Sequence, residues 1–210
     1  MCNNIIDFIL EIGKNDEEIY LQRNVNGYRE INSIFQIRNG SSTLNQRSFH
    51  SVIWKEEYIS ENIISEVFDS AISFNFGGCY MALYMDFLQN NYIVSHIHTG
   101  SNDQKEKWKQ HLINNNCNNI CLFKPYSYYN DIKKLTQIYG NPINTWGVID
   151  KQGGCYTINV TQSERSYILE NTSLPYKVVR VIQHLGNHSY YRPNDINWRE
   201  DNHFKVLYLR

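Results

Sequence analysis

Cys79 stands inside the most distinctive run of the chain, Ser73-Phe-Asn-Phe-Gly-Gly-Cys79-Tyr-Met-Ala-Leu-Tyr-Met-Asp86. Gly77 and Gly78 permit a tight backbone path with positive φ and leave space in front of the sulfur. The same path can leave the backbone N–H groups of Gly78 and Cys79 available to an oxyanion. Further on, Ile93-Val-Ser-His96-Ile-His98-Thr-Gly100 supplies two imidazoles. A thiol near an imidazole is the chemistry of a nucleophile: the ring takes the thiol proton and the thiolate attacks a carbonyl carbon. A third group must hold the ring in one tautomer, a task open to Ser73 Oγ or to a nearby carbonyl. Against this stands a plain structural reading. A cysteine in an apolar strand is commonly a small buried hydrophobe, and Gly-Gly beside it marks a turn.

Other constellations compete for chemistry. His96-x-His98 puts both rings on one face of a strand, a spacing known from metal sites. The nearest further ligands, His111 and the Cys117-x₃-Cys121 pair, lie on other elements. Cys117 and Cys121 flank an Asn cluster, which predicts one facing solvent and the other inside a strand. His184 and His188 are separated by Gly186 in a Tyr-rich stretch and read as surface loop residues. Tyr126, Tyr128, Tyr129, Tyr190 and Tyr191 suit core packing or a protein-binding rim better than base stacking, since no basic excess accompanies them.

The elements that must position Cys79 follow from periodicity. An apolar stripe through Ile5, Ile6, Phe8, Ile9 and Ile12, capped by Asn4 and stopped by Gly13, predicts an opening helix. Glu18–Val25, Tyr28–Arg38 and Phe49–Trp54 read as strands, with turn chemistry at Asn26-Gly27 and Asn39-Gly40. Ile63, Ile64, Val67, Phe68 and Ala71 have helical spacing and predict a helix over Ser60–Ile72. Strands follow at Gly78–Asp86 and Tyr92–Thr99. A tight turn at Gln89-Asn90 would bring Gly100 opposite Cys79, with His98 one diagonal away and His96 further; a wider loop or a bulge changes that register.

Asp103 with Glu106 is a capping-box pattern opening a helix whose inner face carries Trp108 and Leu112. A strand near Ile120–Lys124 leads to a helix capped by Asn130, striped by Ile132, Leu135 and Ile138, and ended by Gly140 and Pro142. Thr145–Asp150, Cys155–Thr161, Tyr176–Gln183 and Phe204–Leu209 complete a strand-rich second half. Four helices among roughly ten strands without regular alternation predict a mixed α/β or α+β sandwich of β-sheets flanked by helices. A doubly wound parallel fold is not expected.

Composition sets the outer bounds. The 210 residues have no linker, repeat or compositional break and are expected to form one domain spanning 1–210. Twenty Lys and Arg against 21 Asp and Glu leave a net charge of −1, which gives no basic field for nucleic acid. No signal peptide is expected, because Asp7 and Glu11 interrupt the opening apolar stretch. No transmembrane segment is expected either. Five cysteines are an odd number for a closed disulfide set, and they read as reduced thiols of a cytosolic setting. The many Asn reflect codon bias more than function.

The residues around Cys79 resemble the glutamine deamidase toxins of the Burkholderia lethal factor and cytotoxic necrotizing factor type. Those toxins carry a Leu-Ser-Gly-Cys signature followed, after a hairpin, by the catalytic His. Phe76-Gly77-Gly78-Cys79 stands in that place, with Phe for Leu and Gly for Ser. The lethal-factor type has a Thr six positions before its Cys, where this chain has Ser73. Its Trp-His-Ile string is matched by Ser95-His96-Ile97, and a Trp follows in both, here Trp108. The spacing from Cys79 to His96 is longer than in either relative. The necrotizing-factor string His-Thr-Gly instead resembles His98-Thr99-Gly100. A helix before the Cys, a similar length and the pair Tyr139-Gly140 extend the likeness thinly along the chain.

The resemblance implies a cytotoxic-necrotizing-factor-like sandwich and a monomeric toxin, made in a bacterial cytoplasm and acting in the host cytosol. It implies hydrolysis of a Gln side-chain amide in a host protein, of the translation-initiation helicase or GTPase class. Cys79 would be the nucleophile, His96 the base and acid with His98 as the alternative, Ser73 the group orienting the ring, and Gly78 and Cys79 the oxyanion donors. No metal or organic cofactor is implied. The alternatives are a Cys–His protease or acyl transferase using the same residues, and a non-catalytic immunity or adaptor protein binding through its Tyr-rich surface.

Overall fold

The structure, a computed structural model, describes residues 5–23, 34–39, 46–52, 59–64, 69–100, 102–125, 129–162, 175–198 and 203–210. Among these residues lie three α-helices and two β-sheets. In chain order the elements are α1 (Ile5–Lys14), β1 (Glu18–Arg23), β2 (Ile34–Asn39), β3 (Gln46–Val52), β4 (Ile59–Ile64), β5 (Ser70–Ser73), β6 (Tyr80–Asp86), β7 (Asn91–Ile97) and α2 (Asn102–Asn114). Then follow β8 (Asn118–Phe123), α3 (Tyr129–Tyr139), β9 (Ile143–Asp150), β10 (Cys155–Gln162), β11 (Pro175–His184), β12 (Ser189–Tyr190), a 3₁₀ turn (Pro193–Asp195) and β13 (Phe204–Leu209). The architecture is α+β.

The larger sheet runs β1-β2-β3-β5-β9-β10-β11-β13, and β1 also pairs with the first residues of β11, so the sheet curls back on itself. All its pairings are antiparallel except β3 with β5. Inside the curl, Ile5, Ile6, Phe8, Ile9 and Ile12 of α1 pack against Trp146, Val148, Ile158, Val160 and Val181. Side chains of this size each contribute about 1.5–3 kcal/mol when fully buried. Tyr208 Oη donates 2.7 Å to the Gly13 carbonyl and ties the end of α1 to β13.

The smaller sheet, β12-β8-β6-β7-β4, is antiparallel throughout. Its centre, β6, is covered on both faces, which is why Tyr80–Met85 is almost uniformly apolar. Tyr80, Ala82 and Tyr84 meet Trp108 and Leu112 of α2 on the outer face. Met81 and Leu83 join Phe76, Cys79, Val94, Cys121, Phe123, Ile149 and Cys155 in the layer between the sheets.

The structure departs from the helix expected over Ser60–Ile72. Ile59–Ile64 and Ser70–Ser73 are strands of different sheets, and 65–68 lie outside the described residues. The strand period of β4 is masked in sequence because its inward position holds Asn62, whose Nδ2 donates 3.0 Å to the Ser51 carbonyl, while Ile63 faces out at 42% exposure. In α3, Leu135 is buried as expected, but Ile138 is 71% exposed and lies off the packed face. The turns proposed at Asn26-Gly27 and after Asn39, and the cap at Asn4, lie outside the described residues.

Candidate active site

Cys79 sits one residue before β6, at the end of a loop spanning 74–79 that is bound to β9 at several points. Phe76 N–H donates 3.0 Å to the Thr145 carbonyl, and Asn144 Nδ2 donates 2.6 Å to Asn75 Oδ1. Phe74 meets Trp146 edge to face at 5.2 Å. Gly78 has φ +147°, a conformation that L side chains rarely adopt, and its carbonyl accepts 3.0 Å from Thr99 Oγ1 beyond β7. Among the described residues, a Cβ placed on Gly77 or Gly78 would meet nothing within 4 Å, so none of them closes the space beside the loop just ahead of the thiol. Cys79 itself is 7% exposed and reduced.

The β6–β7 register brings the histidines to this loop. Residues 87–90 form the turn, Asp86 pairs with Asn91, and Met81 lies directly opposite His96. This turn is wider than the one at Gln89-Asn90 and shifts the register by two. Extended past the ladder, the register sets His98 across from Cys79 and His96 on the diagonal, a separation of about 7–8 Å between Cα atoms. Met81 and His96 thus belong to the face that looks toward the larger sheet, the layer in which Cys79 also packs.

From that larger sheet, Ser73 of β5 reaches His96. Ser73 Oγ lies 2.7 Å from His96 Nδ1 and 2.6 Å from the Val52 carbonyl oxygen. A carbonyl carries no proton, so the single hydroxyl proton of Ser73 belongs to the Val52 contact. Ser73 must then accept from His96, which fixes the proton on Nδ1 and leaves the lone pair on Nε2. Nε2 is buried and, among the described residues, has no hydrogen-bond partner. Phe76 stacks flat on the imidazole, centroids 4.0 Å apart and planes 3° from parallel. Burial, and secondarily the charge of His98, pushes the His96 pKa down to about 3. The ring is therefore neutral at physiological pH. It is a buried acceptor whose lone pair is free of a proton, and the same burial opposes charging and makes it a weaker base than an ordinary imidazole.

Three contributors carried no signal in the sequence. Val52 orients the Ser73 hydroxyl through its backbone, and Phe76 supplies the plate beneath His96. Gly147, paired with Ser73 across β5 and β9, makes room for that plate. A Cβ at Gly147 would stand 2.7 Å from Pro125 Cγ and 2.9 Å from both Met81 Sδ and Phe76 Cε2. In the sequence Phe76 stands only in the Leu place of the Leu-Ser-Gly-Cys signature, with nothing to show its stack on His96; the need for glycine at 147 arises from a contact spanning 71 residues.

The competing constellations resolve differently. Among the described residues no group of three or more His, Cys, Asp or Glu could hold a metal ion. Cys117 and Cys121 are both buried, so neither faces solvent. His184 and His188 are buried as well, their rings 5.8 Å apart around Phe123. They lie inside because β11 runs on to His184 and the chain then returns along β8, where Leu122 N–H donates 2.9 Å to the His188 carbonyl. Tyr190 and Tyr191 border a cleft of about 350 Å³ with Leu83, Tyr92, Cys121 and Lys151, away from Cys79; Tyr126 and Tyr128 lie outside the described residues. No helix among the described residues is long and apolar enough to cross a membrane. No protein-family model and no curated protein matches the chain.

Proposed function

We propose that Cys79, His96 and Ser73 are the catalytic set of a cysteine-dependent amidohydrolase that converts a glutamine side chain of a host protein to glutamate. The observation that carries this reading is the Ser73–His96 contact at 2.7 Å, which presents an unprotonated Nε2, without a partner among the described residues, in the layer in which Cys79 also packs. Open space beside Gly77 and Gly78 supports it, since a slender amide side chain needs a path to a buried thiol. The two-sheet α+β architecture is compatible with a sandwich of the cytotoxic-necrotizing-factor catalytic type, and the proposal adopts that fold.

In the proposed reaction His96 Nε2 takes the Cys79 proton as the sulfur adds to the amide carbon. N–H groups of Gly78 and Cys79 hold the oxyanion. The imidazolium returns its proton to the leaving ammonia, giving a thioester. The ring then draws a proton from water, whose oxygen replaces sulfur, and glutamate and free thiol result. Ser73 keeps Nε2 as the working nitrogen. The product carries a negative charge where a neutral amide stood, enough to alter a protein surface. A monomer acting in the host cytosol, on a target of the translation-initiation helicase or GTPase class, completes the proposal.

His98 is the alternative base, favoured because it follows Ile97, the partner of Tyr80, just as Cys79 precedes Tyr80 at the same end of the hairpin. A second reading, a binding protein in which Cys79 is packing alone, draws on its 7% exposure. One experiment orders all three. Host lysate treated with the protein is examined for peptides in which Gln gains about 1 Da, alongside ammonia release, using the parent protein and the variants Cys79→Ser, His96→Gln and His98→Gln. Loss in the first two, with His98→Gln active, supports the proposal. Loss in Cys79→Ser and His98→Gln, with His96→Gln active, moves the base to His98; cleaved peptides would indicate a protease, and full activity of Cys79→Ser would end the catalytic reading.

A further inference from the structure

Cys121 of β8 and Cys155 of β10 face each other across the layer between the sheets, their sulfurs 3.4 Å apart. Each thiol also lies 3.5 Å from the Gly153 carbonyl, so one acceptor gathers both sulfurs. Both residues are buried and both are thiols. The two strands belong to different sheets and share no ladder, so backbone pairing does not account for the approach. Gly153, with φ +86°, turns the chain so that its carbonyl reaches between them.

We infer that Cys121 and Cys155 are a site of reversible disulfide formation with low-molecular-weight disulfides such as oxidised glutathione. Closing the pair moves the sulfurs from 3.4 Å to about 2.05 Å, a shift within reach of side-chain rotation. Cys121 lines the cleft of about 350 Å³ that also holds Lys151, Gln152 and Tyr92, so it is the sulfur a reagent reaches first. Lys151 supplies a cation for the carboxylates of such a reagent. The Cys121 thiolate attacks one sulfur of glutathione disulfide and expels one glutathione thiolate. The Cys155 thiolate then attacks the Cys121 sulfur of the mixed disulfide and expels the second glutathione. Two protein thiols are oxidised, one glutathione disulfide is reduced to two glutathiones, and the two thiol protons pass to the departing thiolates. The product bond staples the smaller sheet to the larger one around a loop containing α3 and β9. It adds a constraint to the unfolded chain and no new surface to the folded one. The assignment stands apart from any role for Cys79.

The folded protein, incubated with oxidised glutathione at mildly alkaline pH, is assayed by thiol titration in denaturant and by peptide mapping after alkylation. Two of the five cysteines are expected to disappear as a single Cys121–Cys155 cross-link, two hydrogens lighter than the parent. The thermal midpoint should rise by roughly 5–10 °C and return with dithiothreitol. A Cys155→Ser protein should stop at one glutathionyl adduct on Cys121. Retention of all thiols on prolonged exposure, a cross-link involving other cysteines, or a lowered midpoint would each overturn the assignment. Should Cys155→Ser fail to fold, the parent peptide map alone still decides.

Discussion

Ser73 and His96 belong to different sheets, and their 2.7 Å contact is where the curled sheet touches the β6–β7 strand pair with a defined proton. Because Ser73 gives its own proton to Val52, the contact dictates which imidazole nitrogen is bare. Long-range proton–nitrogen correlation spectra of the folded protein should show His96 as the Nδ1–H tautomer, with Nε2 carrying the lone pair. An Nε2–H signal for this ring would remove the proposed base.

Removal of the Ser73 hydroxyl should be felt twice. Ser73→Ala leaves the buried Nδ1–H without an acceptor, at a cost of about 1–3 kcal/mol in urea unfolding. It also frees the ring tautomer, so the alkylation rate of Cys79 should fall about tenfold or more. Loss of stability with an unchanged rate would make Ser73 a structural residue only.

Acid should weaken the fold through His96. Its folded pKa of about 3 lies below the 6.5 of an ordinary His, so between those values the unfolded chain binds the extra proton. The stabilisation is whole above pH 6.5 and is lost as pH falls toward 3. At pH 4 the loss from this ring alone is roughly 3 kcal/mol. His50, also lowered by burial and by Lys151, acts in the same direction. The diagnostic is therefore the comparison with His96→Gln, whose unfolding free energy should depend less steeply on pH by about that amount. Parallel pH profiles for the two proteins would contradict the buried, neutral ring.

The two glycines before Cys79 should respond differently to Ala. Gly78→Ala introduces a side chain at φ +147°, with a strain of about 1–3 kcal/mol and a displaced loop before Cys79. Gly77→Ala meets open space and should change stability by less than about 0.5 kcal/mol. Its effect, if any, should be on KM, because the added methyl enters the space proposed for substrate. Equal unfolding midpoints for the two variants would dispute the backbone conformation at 78.

Gly147→Ala tests the plate under His96. The added methyl overlaps Phe76, Met81 and Pro125, an overpacking that costs about 1–3 kcal/mol. Phe76 is one of the three groups that must give way, so the His96 environment is expected to change in nuclear magnetic resonance spectra even where the protein remains folded. An unaltered His96 signal would show that the stack does not depend on this glycine.

Much of the architecture was legible where apolar and polar positions alternate in phase with their element. The opening helix and α2 with Trp108 and Leu112 carry a helical stripe with start or stop signals, while β6 and the last strand were marked by short apolar runs between turn residues, and the β6–β7 register was not. Reading failed where an inward position is polar and an outward one apolar, as at Asn62 and Ile63, since burial there is satisfied by a hydrogen bond to Ser51 instead of by transfer of apolar surface. It failed again at His184 and His188, where Gly186 suggested a surface loop but Phe123 and the β8 backbone enclose both rings. Cys79, His96 and Ser73 stood out from local spacing. The Val52 carbonyl, the Phe76 stack and the space at Gly147 come from strands far apart in the chain, and no window of sequence contains them.

The double covering of β6 has a consequence for exchange with solvent. Flanked by β8 and β7 and roofed on both faces, its amides are expected to exchange only when the whole molecule opens. One residue before that strand is Cys79, and just before it the chain at Gly77 and Gly78 borders open space. The sulfur therefore marks the boundary between the slowest-exchanging backbone and an open approach. Its position is set by the global stability of the protein, and the route to it by two side chains that the sequence omits.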